Sequence, residues 1–117
     1  MKLEALTPML RSWDIPGSVA FYTGVLGFVC RAQTDGWASL ARDGIELMLS
    51  APNAHEGDAR PVFTGSLYFR IDDVDALWSA LRDSARVCYA PQTFSYGMRE
   101  FAVYDNNGYL LQFGQEA

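Results

Sequence analysis

Hydrophobic residues recur at helical spacing in two stretches of the chain. The first stretch follows Asp14-Ile15-Pro16, in which Asp is a favourable N-cap and Pro suits the first turn, and Gly27 is expected to end it. The second stretch follows Asp72 or Asp73, either of which can cap a helix. Two short amphipathic helices are therefore predicted. Their apolar stripes are Val19, Tyr22 and Leu26 in the first helix, and Val74, Leu77, Trp78 and Leu81 in the second.

Apolar and polar residues alternate in the segments around each helix, which is typical of strands with one buried face. One strand is predicted before each helix and three after it, so the order is βαβββ twice. Asp43-Gly44 and Asn107-Gly108 are hairpin-turn signals at matching places in the two halves. The predicted strands span 3–10, 28–33, 37–41 and 45–50 in the first half, and 66–71, 86–90, 98–104 and 109–113 in the second.

The repeated order predicts an α+β fold with a single domain over 1–117. Module 1 covers about 1–52, a polar linker covers about 51–62, and module 2 covers about 63–117. We expect the tandem βαβββ modules to form a curved mixed sheet, because the apolar strand faces need the helices to cover them. Both helices would then lie on the outer face of the sheet, and a cleft would lie on its inner face.

The strand faces that point away from the predicted helices carry a mixture of polar and apolar side chains. Glu46, Met48 and Ser50 alternate with the core residues of one strand, and Tyr68 and Arg70 do so in another. A sheltered binding cleft typically combines a few polar groups with apolar ones, whereas a solvent-facing sheet would carry more Lys, Thr and Glu. The mixture favours a cleft, and a plain solvent-facing sheet is the alternative.

Composition narrows the classes of partner. The 117 residues have room for one hydrophobic core, and the net charge of −5 comes from interspersed acids and bases. Binding to a nucleic-acid backbone requires a basic face, which this pattern lacks. No apolar run approaches the roughly eighteen residues of a membrane span, and the start of the chain does not resemble a secretory signal. We expect no nucleic-acid partner, no membrane partner and a cytoplasmic location.

Two motifs resemble those of the vicinal-oxygen-chelate superfamily, also called the glyoxalase / bleomycin-resistance / extradiol-dioxygenase superfamily. Residues 14–28, DIPGSVAFYTGVLGF, are similar to the first helix of that family, and residues 96–113, YGMREFAVYDNNGYLLQF, resemble its closing hairpin. With the βαβββ duplication, the resemblance covers nearly the whole chain. The superfamily includes isomerases, lyases, dioxygenases, thiol transferases and drug-binding proteins, so the fold that the resemblance implies does not fix an activity.

The resemblance also indicates where a metal would be bound. Metal-dependent members commonly use two His with two Glu or Gln, and the corresponding positions here are Thr7, Glu46, Ser66 and Gln112. Both His positions therefore carry hydroxyl side chains. His55, the one histidine of the chain, lies in the predicted linker. The resemblance thus implies no metal and no cofactor, and it disfavours glyoxalase I, extradiol cleavage and thiol transfer.

What remains resembles the bleomycin-resistance proteins, which hold a ligand among aromatic side chains without chemistry. The resemblance implies a homodimer that binds a small molecule, such as a bleomycin-type antibiotic or another planar aromatic. Trp37 and Tyr68 are expected to supply most of the binding energy, although Trp37 could instead cover a sheet edge and Tyr68 could be a buried structural residue. The expected ligand-binding residues are Trp37, Glu46, Met48, Ser50, Tyr68, Arg70, Phe94, Tyr96 and Gln112.

Two other functions stay open beside the metal-free binding protein. A lyase or isomerase of the same superfamily could use Glu46 as a base, with or without a weakly bound divalent metal, and with Gln112 and Arg99 orienting the substrate. A regulatory module whose partner is another protein is the third alternative. The charge of the ligand is also open, because Arg70 favours an anion while three acidic residues favour a cation. Those acidic residues are Asp35, Glu46 and Glu100.

Overall fold

The computed structural model describes residues 1–52, 63 and 65–117, which fall into two compact units, Met1–Pro61 and Val62–Ala117. Each unit contains one βαβββ module with its own four-stranded mixed sheet, so the predicted α+β fold of tandem modules is confirmed. Most of the predicted linker, including His55, lies outside the described residues. In the described part of the chain, no helix is long and apolar enough to cross a membrane.

The first module consists of β1 (Met9–Arg11), α1 (Ile15–Gly24), β2 (Val29–Thr34), β3 (Trp37–Arg42) and β4 (Ile45–Ser50). Its sheet has the order β1-β4-β3-β2, with β1 parallel to β4 and the other pairs antiparallel. Helix α1 packs on one face of this sheet. Alternate strand residues are buried on that face, as expected for a sheet covered by a helix on one side. The core of the module includes Leu10, Tyr22, Leu26, Leu40, Leu47 and Leu49.

The second module consists of β5 (Leu67–Arg70), α2 (Val74–Leu81), β6 (Arg86–Thr93), β7 (Met98–Tyr104) and β8 (Leu110–Glu116). Its sheet has the equivalent order β5-β8-β7-β6, again with one parallel pair between the first and last strands. Helix α2 packs on the face that carries the buried aromatic rings of the strands. The rings on this face are Phe69, Phe101 and Phe113, with Trp78 of α2 against Phe101.

Aspartate caps begin both helices, as predicted. The Asp14 carboxylate accepts a hydrogen bond from the backbone N–H of Gly17, and the Asp73 carboxylate accepts one from Ala76, both at 3.0 Å. Asp73 rather than Asp72 is therefore the cap of α2. The first helix ends at Gly24, three residues before the predicted stop, and Gly27 (φ 70°) instead turns the chain toward β2.

The first predicted strand is much too long. Only Met9–Arg11 pairs with β4, while Leu3 and Leu6 are 91% exposed. Pro8 explains the boundary, because it accepts a hydrogen bond from the N–H of Met48 but has no N–H of its own to continue the ladder.

The two predicted hairpins form, but with different turns. Asp43 (φ 51°) and Gly44 (φ 81°) are both left-handed, as in a type I′ turn. In the other turn only Gly108 has a positive φ, and the Asp105 carboxylate accepts hydrogen bonds from the N–H groups of Asn107 and Tyr109. The matching dipeptides in the sequence therefore predict both hairpins correctly, although they do not predict the same turn geometry.

Candidate ligand-binding face

The face of the second sheet that points away from α2, called the far face below, is organised in two neighbouring rows of side chains. In the first row, Tyr68 lies beside Gln112, Gln112 beside Ala102, and Ala102 beside Tyr89. In the second row, Arg70 lies beside Gly114, Gly114 beside Glu100, and Glu100 beside Gln92. Each row crosses all four strands, so residues far apart in the sequence meet on one surface. The members of these rows provide most of the candidate site.

Glu100 is the centre of this face, although its place in the sequence indicated only one of several acidic residues. Its side chain is 2% exposed and accepts hydrogen bonds from three tyrosine hydroxyls. Tyr68 donates to Oε2 at 2.5 Å, while Tyr96 and Tyr89 donate to Oε1 at 2.6 and 3.2 Å. A buried carboxylate requires such donors, because the loss of hydration would otherwise strongly destabilise the fold. We call Tyr68, Tyr89, Tyr96 and Glu100 the Glu100 cluster.

A directed chain of hydrogen bonds extends the cluster to β8 and β5. The Ser66 hydroxyl donates to Gln112 Oε1 at 2.5 Å, and Gln112 Nε2 donates to the Tyr89 hydroxyl at 2.9 Å. Tyr89 in turn donates to Glu100. Each donor in this chain points toward the carboxylate, so the polar groups orient one another and hold the tyrosines in fixed positions.

Gly114 makes the approach of Tyr68 possible. It lies between Arg70 and Glu100 in the second row, and the Tyr68 side chain leans across it toward the carboxylate. A Cβ atom at position 114 would overlap the Tyr68 hydroxyl and its ring carbon. Glycine within a strand often marks such a close approach.

Aromatic rings cover the buried carboxylate and are themselves partly exposed. The rings of Phe94 and Tyr96 stack at 5.3 Å and an interplanar angle of 3°, and Phe94 meets Tyr89 edge-on at 5.6 Å. Tyr96 is 63% exposed and Tyr68 is 42% exposed, although both hydroxyls point inward. The surface offered to solvent is therefore largely aromatic, with its hydroxyl groups already satisfied.

The cluster also fixes the protonation of its phenols. Desolvation, followed by the hydrogen bond to Glu100, raises the pKa of Tyr68 to about 12. The hydrogen bond to Glu100 is the main cause that raises the pKa of Tyr96 to about 12. Desolvation also raises the pKa of Tyr89, opposed by the hydrogen bond from Gln112. The three phenols are therefore neutral donors at physiological pH.

Arg70, predicted to contact a ligand, lies at the rim of the far face. Its guanidinium forms an ion pair with Glu116 at 3.4 Å, and the two side chains are 65% and 81% exposed. Exposed ion pairs of this kind contribute little to stability because water screens them. Their charges nevertheless offset each other, so the pair adds little net charge to the face.

The remaining predicted contacts lie on the first sheet, on the face that points away from α1. Trp37 pairs with Ser50, Ser39 with Met48, and Ala41 with Glu46, so the strand alternation assigns them to one face as expected. Trp37, Met48 and Ser50 are half-buried, and the Ser50 hydroxyl donates to the carbonyl of Ala51. The structure thus gathers the predicted residues into two sets, one on each module.

Glu46 is less suited to act as a catalytic base than its place on the predicted cleft face indicated. Its carboxylate forms an ion pair with Arg31 at 3.0 Å, and its side chain is 48% exposed. Base catalysis by a carboxylate generally relies on a sheltered position that excludes water. The described surroundings of Glu46 provide no such shelter.

The side chains at the family's metal positions do not fit a transition-metal site. Ser66 and Gln112 hydrogen-bond to each other, and neither brings an imidazole or a carboxylate. In residues 1–52, 63 and 65–117, no group of three or more His, Cys, Asp or Glu could hold a metal ion. Zinc, nickel and iron sites depend on such ligands.

Comparison with known proteins agrees with this fold and with the resemblance. A family model described as the glyoxalase/bleomycin resistance protein/dioxygenase superfamily matches residues 6–113. No curated protein matches the chain significantly. A protein of that superfamily from Nocardioides has a TM-score of 0.81 at 17% identity, with 99% of this chain and 85% of that chain covered, which shows the fold alone.

Two of the similar solved structures are of proteins associated with bleomycin. One is a bleomycin-binding protein from bleomycin-producing Streptomyces verticillus, complexed with copper(II)-bleomycin, with 26% identity, a TM-score of 0.72, and 97% and 96% coverage of the two chains. The other is a bleomycin resistance determinant encoded on the transposon Tn5, with 27% identity, a TM-score of 0.77, and 97% and 98% coverage. The matched family model spans most of the sequence, and this chain belongs to the glyoxalase/bleomycin resistance protein/dioxygenase superfamily.

Proposed function

We propose that this protein binds a small, partly aromatic molecule without transforming it, and that its most specific role is to sequester a bleomycin-type antibiotic. The observation that carries the proposal is the exposed aromatic surface of the Glu100 cluster, which consists of the rings of Tyr68 and Tyr96 with Phe94 stacked beside Tyr96. Its rings face solvent while their hydroxyls are bound to a buried carboxylate. The similarity to a bleomycin-binding protein and to a bleomycin resistance determinant supports the same function.

The ring surface is suited to stacking because it is ordered before any ligand arrives. Tyr96 is held in place at its hydroxyl by the hydrogen bond to Glu100 and at one ring face by stacking on Phe94. Tyr68 is fixed by Glu100 and by its packing over Gly114. A planar ligand would therefore lose little side-chain entropy on binding, and each stacking contact contributes about 0.5 to 1.5 kcal/mol beyond area burial.

Polar specificity would come from polar groups beside the aromatic surface. Gln112 and Arg70 lie on the two rows that carry Tyr68 and Glu100. On the first module, Trp37, Met48 and Ser50 form a second half-buried surface with the mixed character of ligand pockets. We include all of these residues as proposed ligand contacts, and Glu46 as a peripheral one.

Calorimetric titration with bleomycin tests the proposal. The wild-type protein is expected to bind, and Tyr68→Ala, Tyr96→Ala and Trp37→Ala are each expected to weaken binding by roughly ten- to a hundredfold, or about 1 to 3 kcal/mol. Glu46→Gln serves as the comparison for the enzyme alternative and should change affinity much less. If the three aromatic variants bind like wild type while Glu46→Gln abolishes a measurable turnover, the binding function is wrong.

The proposed assembly is a cytoplasmic homodimer. Met9 is 52% exposed and Val29 is 65% exposed, and both lie on strands of the first sheet. Exposed apolar side chains on a sheet are commonly covered by a partner, so a second copy of the chain is a suitable occupant. Sedimentation at micromolar concentration is expected to give the dimer mass, and a monomer would contradict the assembly.

A further inference from the structure

We infer that the ligand of the Glu100 cluster carries a weakly hydrated organic cation, such as a quaternary ammonium or an N-alkylated heteroaromatic ring, held against the faces of Tyr68 and Tyr96. The inference rests on the proposed binding function and adds the charge and the type of the recognised group. It is derived from the environment of Glu100, where a buried negative charge lies beneath exposed aromatic rings.

Among the described residues, no cation pairs with the negative charge of Glu100. All three of its hydrogen-bond donors are neutral tyrosine hydroxyls, and none of the ion pairs among the described residues includes Glu100. Arg70, the nearest basic residue in its row, is engaged by Glu116. The described part of the chain therefore leaves the negative charge at the centre of the far face uncompensated, in a sheltered position where water screens it less than at the surface.

The hydroxyl hydrogen bonds transmit this charge to the rings. A phenol that donates to a carboxylate has a more electron-rich ring, and cations are attracted to the negative face of an aromatic ring. Tyr68 and Tyr96 both donate to Glu100, at 2.5 and 2.6 Å, and both have exposed ring surface. Phe94, stacked on Tyr96, enlarges the aromatic surface.

The same geometry selects the kind of cation. Glu100 is 2% exposed, and the tyrosines that cover it already occupy three of its acceptor sites. A primary ammonium or a guanidinium would lose hydration without gaining a direct ion pair at the carboxylate, which is unfavourable. A quaternary or N-alkylated cation has no N–H groups to satisfy, so ring faces alone can recognise it.

Four bicyclic probes of similar size test this inference: N-methylquinolinium, neutral quinoline, the ammonium form of 1-aminomethylnaphthalene, and 2-naphthoate. Binding is measured by calorimetry at near-neutral pH and low salt. We expect N-methylquinolinium to bind on the order of tenfold more tightly than quinoline and the primary ammonium, with 2-naphthoate weakest. Equal binding of quinoline, or tightest binding of the primary ammonium or of 2-naphthoate, would overturn the inference.

Variants test whether the preference for N-methylquinolinium over quinoline arises from the Glu100 cluster. Glu100→Gln keeps the shape of the side chain and removes its charge, and it should reduce the preference for N-methylquinolinium over quinoline to about twofold or less. Asp83→Asn removes the same charge from an exposed turn after α2 and should leave the preference unchanged. Should Glu100→Gln fail to fold by circular dichroism, the Tyr68→Phe/Tyr96→Phe double variant retains both rings and should reduce the preference several-fold. A preference that survives in whichever of these variants folds would contradict the inference.

The bleomycin titration separates this inference from the proposed function. If bleomycin binds and the probes show no preference for N-methylquinolinium, the inference alone fails. If the preference is present in wild type and lost in Glu100→Gln while bleomycin does not bind, the inference stands and the antibiotic-specific function fails. If neither bleomycin nor any probe binds, both are wrong.

Discussion

Replacing Gly114 with Ala should eject Tyr68 from the Glu100 cluster and destabilise the protein. The new methyl group would overlap the Tyr68 hydroxyl, and the backbone at Gly114 has no positive φ that would oppose alanine in its own right. A lost hydrogen bond to a charged group costs about 1.5 to 3 kcal/mol, and the lower unfolded-state entropy of Ala returns about 0.5 to 1 kcal/mol. The free energy of unfolding should therefore fall by about 0.5 to 2.5 kcal/mol.

Urea and thermal denaturation measure this change, and the expected fall in Tm is about 2 to 10 °C for a chain of this length. The pKa of Tyr68, raised to about 12 in the wild type, should move back toward 10.0 in a spectrophotometric titration. Gly24→Ala is the matched control, because a Cβ atom there meets open space at the end of α1 and should be neutral or slightly stabilising.

A double-mutant cycle then isolates the overlap between the two side chains. In a Tyr68→Ala background no hydroxyl remains to be displaced, so Gly114→Ala should become neutral or stabilising. If Gly114→Ala is as stable as wild type, or if it costs the same free energy in both backgrounds, the close approach of Tyr68 over Gly114 is refuted as the cause.

Three further predictions concern helix capping, alkaline pH and metal content. Asp73→Ala should reduce the free energy of unfolding by about 1 kcal/mol through loss of the α2 cap, whereas Asp72→Ala should not, and equal effects in urea denaturation would contradict the cap assignment. The folded state raises the pKa values of Tyr68 and Tyr96 from 10.0 to about 12, so their stabilisation is present below about pH 10 and is lost between about pH 10 and 12. This alkaline loss should be shallower in Glu100→Gln, and an identical pH profile would argue against the cluster. Elemental analysis of purified protein should find well under one Ni, Zn or Fe per chain, and a stoichiometric metal would refute the ligand argument.

The helix starts and the first hairpin turn were predicted well, because helix caps and tight turns depend on residues that are close together in the sequence. The aspartates at 14 and 73 satisfy N–H groups three residues away, and the Asp43-Gly44 turn is encoded by residues that tolerate a positive φ. The first strand was overestimated because apolar residues continue to recur N-terminal to Met9, whereas its pairing partner is a distant strand and Pro8 breaks the ladder.

Alternation places Tyr68 correctly on the far face, but it does not place Tyr89 there. In a regular strand, Tyr89 would share a face with Val87, which pairs with Val103 on the α2 side. The register of β6 shifts between Val87 and Tyr89, so Tyr89 instead pairs with Ala102 on the far face. Gly114 gave no signal either, because the predicted last strand ended at residue 113. Only the observed β8 includes this glycine, and glycine inside a strand marks a close approach without indicating which side chain approaches.

Register shifts in the edge strands give this fold a way to acquire new specificity. Within their own four-stranded sheets, β2 and β6 are the edge strands next to β3 and β7, and the pairing of each contains a register shift. Adding or removing one residue in such a strand would exchange which of its side chains project from each face, while the inner strands and the helix contacts could keep their positions. Two copies of one module could thus have diverged into chemically different surfaces through small length changes at their edges. Alignments of the superfamily that allow single-residue gaps in these two strands should therefore separate ligand classes better than gap-free alignments.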